Sequence, residues 1–232
     1  MRATRHPAAG RLGHVIQRAI AAGLLSLLML IPQPGMAEPV DLLFDTRHLE
    51  AVPPGTALSY LHRRAATGAP RLGPDLEQRI LLETFGEGEE AAVKVTMDAD
   101  GAPRQLERFR GVPGNPILMV FLETTVSAIS RATGGSPFYL RNRIREGLRD
   151  GLTSTPMILQ IGAARLPARV LEVAPFRGDR NADRLGSFAG LTLRFVISEQ
   201  APGMLLSLRA SMPEGQEGTV SYEEEIALLI DG

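Results

Sequence analysis

Apolar residues recur at every second position over most of this chain and at helical spacing over one stretch only. Val93, Val95 and Met97 alternate with polar neighbours, Asp98 to Gly101 carry turn chemistry, and Leu106 and Phe109 fall on a return strand. The segment reads as a β-hairpin. Upstream, Pro53-Pro54-Gly55 punctuates a turn, and Thr56 to Arg64 follows as a first strand. Residues 76–85 are ambiguous by period alone; their length and the Gly86-Glu87-Gly88 exit favour a strand. Beyond Pro156 a second hairpin is expected, with Met157, Leu159 and Ile161 on one arm and Leu166, Val170 and Val173 near the other. "LTLRFVISE", "GMLLSLRAS" and "TVSYEEEIALLI" supply three more strands.

Between these strand groups the period changes to 3.6. Asn115-Pro116 places a cap residue before a proline at a first helical position. Ile117, Leu118, Phe121, Leu122, Ala128, Ile129 and Ala132 then share one broad face. Thr133-Gly134-Gly135 stops this helix, because glycine adopts the left-handed conformation of a helix end cheaply. Ser136-Pro137 restarts a helix that runs to Asp150. Helices are thus expected at about 116–132 and 137–150. The order strands, two helices, strands predicts an α+β fold: a curved, mostly antiparallel sheet of about eight or nine strands. The two-helix hairpin is inserted mid-chain and packs on one face.

The amino terminus changes the compartment. Arg2, Arg5, Arg11 and Arg18 precede any acid, a run of 13 residues from Ala19 to Ile31 is almost wholly apolar, and Gly35-Met36-Ala37 ends the segment. This is the pattern of a secretory signal peptide, residues 1–37, cleaved after Ala37. The run is shorter than the ~20 residues a membrane-spanning helix needs. No later stretch is long and apolar enough to span, so the mature part, residues 38–232, is expected as a single periplasmic or secreted domain. Loss of the four leader arginines leaves 21 bases against 26 acids, a net of about −5, which disfavours nucleic acid as a partner. The chain has no cysteine, so thiolate metal sites, disulfides and lipid attachment on cysteine are excluded.

Candidate chemistry is sparse. His48 and His62 are the histidines of the mature part, and two imidazoles do not make a zinc site; both read as ordinary surface or strand residues. Asp179, Asn181 and Asp183 imitate the start of a calcium loop, but Arg184 stands where glycine is needed and Gly190 where glutamate is needed. Ser136 and Ser187 lie among glycines without the G-x-S-x-G frame of a nucleophile, and Gly134-Gly135 has no lysine to make a phosphate loop. The acidic runs Glu87/Glu89/Glu90 and Glu223/Glu224/Glu225 read as solvated faces. No catalytic residue, cofactor or metal is assigned, and a hydrolase remains the weakest alternative.

The second helix carries the most site-like pattern. Leu140, Ile144 and Leu148 form its inward stripe, and Arg141, Arg145 and Arg149 form a second stripe beside it, flanked by Phe138. Like charges four residues apart repel, so partners must compensate: the protein's own acids, or an external anion.

With its strands, helix pair and further strands, the exported chain resembles the periplasmic lipoprotein-carrier family in element order over residues 56–230. The resemblance implies an open half-barrel whose apolar concave face is covered by helices. It also implies a carrier of a hydrophobic, anionic or lipid-like ligand. The ligand-binding residues expected on that basis are Ile117, Phe121 and Leu122 in the groove, with Phe138, Arg141, Arg145 and Arg149 at the rim. The alternative is a non-enzymatic cell-envelope protein acting through protein contacts. Its candidate surfaces are the arginine helix and the last strand, should that strand form an unpaired edge.

Overall fold

The computed structural model describes residues 38–86, 91–99, 102–110, 114–212 and 220–230. The expected signal peptide, the acidic run at Glu87, Glu89 and Glu90, and the turn residues Asp100, Gly101 and Pro213 to Gly215 lie outside the described residues. A short helix α1 (Pro39–Phe44) leads into strands β1 (Ala57–Thr67), β2 (Leu76–Phe85), β3 (Ala92–Ala99) and β4 (Ala102–Arg110). Helices α2 (Ile117–Thr133) and α3 (Pro137–Asp150) follow, and then strands β5 (Thr153–Ile161) and β6 (Ala164–Val173). A one-turn helix α4 (Ala182–Leu185) precedes β7 (Thr192–Ile197), β8 (Leu205–Ser211) and β9 (Ser221–Leu228).

All nine strands join one curved, open antiparallel sheet in the order β4-β3-β2-β1-β9-β8-β7-β6-β5. This is the α+β architecture expected from the alternation of period. It consists of two meanders, β1 to β4 and β5 to β9, sealed at the centre by the β1–β9 pair. The strand "TVSYEEEIALLI" is therefore central, with β1 on one side and β8 on the other, which removes it as an unpaired edge. The true edges are blunted against pairing with other chains. β4 presents Arg104, Arg108 and Arg110, and β5 carries Pro156, a residue that edge strands tolerate because no neighbour needs its N–H.

Because strand side chains alternate, one residue in two faces the core. Tyr60, Ile80, Leu82, Val95, Leu171, Leu193, Phe195, Leu208 and Ile226 are fully buried on the inner face. On the outer face the register aligns Glu172, Arg194, Arg209, Glu225, Arg63 and Glu77 in a single row across six strands. Arg63 Nε lies 2.8 Å from Glu77 Oε2 within that row.

α2 covers the inner face through Ile117, Leu118, Phe121, Val126, Ala128 and Ile129, and the Phe121 ring meets Phe195 edge-on at 5.9 Å. Asn115 caps it, its side-chain oxygen accepting from the Ile117 N–H at 3.1 Å. Gly134 ends it at φ 74°, with its N–H donating to the Ser130 carbonyl at 2.8 Å. α3 then starts at Pro137 and buries Leu140, Ile144 and Leu148. Gly147 lets it approach the chain after β6: a β-carbon there would stand 2.9 Å from the Pro175 Cα.

Candidate functional site

Three consecutive glutamates in a strand cannot all face solvent, and β9 resolves the run by direction. Glu223 and Glu225 point outward, where Arg209 Nη2 lies 2.5 Å from Glu223 Oε2 and the Ser207 hydroxyl donates to Glu225 Oε1 at 2.7 Å. Glu224 points inward and is 1 % exposed. The expectation of a solvated acidic face is corrected at this position, and the cause is the two-residue period of the strand.

Pairing of β1 with β9 sets His62 opposite Ile226, one step diagonal to Glu224 and within side-chain reach. His62 Nε2 lies 2.7 Å from Glu224 Oε1, and the Gln78 amide of β2 lies 2.9 Å from His62 Nδ1. The Tyr222 hydroxyl donates to Glu224 Oε2, and Thr124 of α2, whose hydroxyl donates to the Phe121 carbonyl at 2.9 Å, lies beside the same carboxylate. Burial is the largest influence on Glu224 and would raise its pKa. The hydrogen bonds from His62 and Tyr222 and the His62 charge, with Thr124 close by, outweigh it, so the carboxyl is held below its ordinary value. Burial beside that carboxylate pushes the Tyr222 hydroxyl upward. His62 is only 2 % exposed, so the group is sealed from substrate. What it can do is fix register: the polar groups meet only if β1, β2, β9 and α2 sit in this arrangement.

A second buried hub surrounds His48, expected as a surface or strand residue and instead 1 % exposed in a turn, whereas His62 is the strand residue expected. Its Nε2–H donates to the Leu42 carbonyl at 2.7 Å, and its Nδ1 accepts from the Asn115 N–H at 2.9 Å. Asn115 in turn donates through Nδ2 to the Tyr60 hydroxyl at 2.9 Å and to the Gly203 carbonyl at 3.0 Å. Gly203 has φ 71°, and a β-carbon there would stand 2.8 Å from Leu58 Cδ1, so glycine is needed on both counts. Burial raises the Tyr60 pKa to about 12, partly offset by Asn115.

The expected ligand residues fall into two groups. Ile117 and Phe121 are fully buried against the sheet and Leu122 is half-buried beside them. Phe138, Arg141, Arg145 and Arg149 lie together on the outward face of α3, with Phe138 73 % exposed. Arg141 makes a bidentate pair with Glu123 of α2, at 2.8 and 2.7 Å, and Arg149 makes another with Asp150, at 2.8 and 3.0 Å. Among the described residues, Arg145 reaches only the Asn142 side-chain oxygen, at 3.5 Å.

Arg143 is the anchored arginine. Its Nε donates to Asp179 Oδ2 at 2.6 Å and its Nη1 to Glu146 Oε2 at 2.5 Å. Asp179, with a side chain 1 % exposed, also accepts from the Tyr139 hydroxyl at 2.5 Å and the Asn181 N–H at 2.7 Å. The calcium-like loop therefore spends its first carboxylate on clamping α3. Among the described residues, no cluster of three His, Asp or Glu side chains is placed to hold a metal ion.

Among the described residues, two clefts can be named. One, of about 520 Å³, is lined in part by Arg143, Gly147, Asp150, Glu172, Pro175 and Arg177. The other, of about 320 Å³, involves Leu58, Arg79, Pro202, Leu228 and Ile230. Neither is lined by Ile117, Phe121 or Leu122. Among the described residues no helix is long and apolar enough to cross a membrane. No protein-family model matches the chain, and no curated protein matches it.

Sequence reasoning missed both buried hubs. One signal was available: three successive acids in a period-two segment force one of them inward. Nothing in the local sequence links His48 to Asn115, which lies 67 residues away.

Proposed function

We propose that this is an exported, non-enzymatic envelope protein that docks a protein partner through the outward face of α3. The observation that carries the reading is Phe138, a large apolar ring 73 % exposed at the head of the stripe shared with Arg141, Arg145 and Arg149. Aromatic residues and arginine dominate the energetic centres of protein interfaces. Burying such a ring recovers about 1.5–3 kcal/mol. Arg141 and Arg149 already hold carboxylates of their own, so Arg145 is the cation left to choose a partner. The matching surface offers an apolar pocket for Phe138 and an acid for Arg145. The leader-like start, Met1 to Ala37, supports delivery to the periplasm.

The test is a photo-crosslinking residue placed at 138 in cells, with the same residue at exposed Gln160 as control. A discrete adduct with another protein at 138, absent at 160 and weakened by Arg145→Glu, is expected. Illumination that gives the same faint ladder at both positions would overturn the proposal.

A second reading, a carrier of a hydrophobic anionic ligand, is favoured by one atom. The Thr125 hydroxyl lies buried without a partner in the α2 stripe that also holds Leu118, Phe121 and Ile129. A ligand carbonyl or carboxylate would accept its proton, provided α2 and α3 lift from the sheet. Native mass spectrometry of protein purified from cells separates the readings: a carrier retains a small-molecule mass, and a docking protein does not.

A further inference from the structure

The His48 hub does more than fill space. Both of its ring nitrogens bond to backbone groups whose roles are chemically fixed: a carbonyl that can only accept, and an N–H that can only donate. Only the neutral ring with its proton on Nε2 satisfies both. A proton added at Nδ1 would point at the Asn115 N–H, turning a hydrogen bond into a clash of two donors.

The ring stands at the junction of a short strap with the rest of the molecule. Residues 38–52 form α1 and the turns after it, burying Leu42, Leu43 and Val52. Within the strap, the Thr46 hydroxyl donates to the Asp41 carbonyl at 3.0 Å. The far end is pinned independently: the Gly55 N–H donates to the Thr84 carbonyl at 2.8 Å, and the Thr84 hydroxyl to the Pro53 carbonyl at 2.8 Å. Pro53 to Thr56 is therefore a fixed hinge, and His48 is the latch. The latch reaches three other parts of the fold, because Asn115 heads α2 and also holds Tyr60 of β1 and Gly203 of the β7–β8 turn.

We infer that residues 38–52 form an acid-released strap, latched at neutral pH by the His48 ring between Leu42 and Asn115 and opened when that ring is protonated. The charged and titratable groups on the elements packed around the ring are few. The strap carries Glu38, Asp41, Asp45, Arg47 and Glu50, all on exposed residues except Asp41. Strand β1 brings Tyr60, one hydrogen bond beyond Asn115, and the β7–β8 turn brings the exposed Glu199. The ring's proton affinity is set by burial and the Leu42 carbonyl rather than by any of these charges. Gly114 and Asn115, which meet the ring from the α2 side, are uncharged. Burial lowers the ring's proton affinity from its ordinary 6.5, and the Leu42 carbonyl opposes that only in part. The sign follows: the latch is complete above pH about 6.5 and is lost as pH falls toward the lowered folded value. Release uncovers Leu42 and Leu43 together with the surface they cover.

Hydrogen exchange of the whole protein between pH 7.5 and 5, corrected for intrinsic exchange, tests this. Amides of residues 42–52 are expected to lose at least tenfold protection, with a midpoint below 6.5, while those of Ile80 and Leu208 keep theirs. His48→Gln should remove the pH step. The imidazole nitrogen shifts of the wild type give a readout that does not depend on the variant folding, and they should report a bare Nδ1 at pH 7.5. A protonated Nδ1 at that pH, protection that ignores pH, or an unchanged step in His48→Gln would each overturn the inference. So would simultaneous loss of protection throughout the sheet.

Discussion

Replacing Glu224 with leucine removes the acceptor shared by His62 and Tyr222 while keeping a side chain of similar bulk. His62 and Glu224 are 2 % and 1 % exposed, so the groups left behind gain no water in exchange. Breaking a buried pair by deleting one partner costs about 3–5 kcal/mol. In a domain of this size each kcal/mol moves the melting temperature by about 2–4 °C, so E224L should melt roughly 6–20 °C lower. The desolvation cost of the cluster predicts a further result. The triple variant H62L/Y222F/E224L, which removes most of the polar set, should recover to within about 1 kcal/mol of wild type, because burying apolar groups avoids stripping charges of water. There is also a pH signature. Glu224 is held below its ordinary 4.5, so its contribution is complete above pH about 4.5 and drains away as pH falls further. E224L should lack that component. Urea titrations at pH 7 and pH 4 measure all three. The reasoning is refuted if E224L costs under about 1 kcal/mol, or if the triple variant loses the sum of its three single changes.

Other positions follow from single observations. Thr125→Val replaces a buried, partnerless hydroxyl with a methyl of the same shape, and by thermal melting it should be neutral or stabilising by up to about 1 kcal/mol. Arg143→Ala strands the Asp179 carboxylate, which keeps Tyr139 and Asn181; a loss of about 1–3 kcal/mol in urea unfolding is expected, against less than about 0.5 kcal/mol for Arg145→Ala. Gly147→Ala pushes a β-carbon into Pro175, whose backbone cannot swing aside, and should cost about 1–3 kcal/mol by the same assay.

Strands and helices were legible because each keeps one period for its whole length. The Asn115-Pro116 start and the Gly134 stop of α2 are local signals, and the structure uses both. The arginine stripe was legible as a stripe, since helical projection depends only on spacing. Its local partner was legible too, since Asp150 follows Arg149 directly, but the distant ones were not: the carboxylate facing Arg141 comes from Glu123 on the preceding helix, and Arg143, beside the stripe, takes one from a loop 36 residues on. The same holds for His62 and Glu224, 162 residues apart, whose meeting depends on β1 pairing with β9. Periodicity says which way a side chain points within its own element. Only strand order says what it points at.

That strand order has a kinetic consequence. Each meander is built from neighbours in sequence, so β1 to β4 and β5 to β9 can each zip by local pairing, the β6–β7 link with its helix α4 being the longest connection. The β1–β9 seam instead closes a loop of more than 150 residues, an entropic cost that rises with loop length and must be met before the contact returns anything. The His62–Glu224 bond lies in that seam, at the last place where the sheet comes together. Until it forms, two half-sheets expose raw central edges, so the most vulnerable moment in the life of this protein falls just before its middle closes.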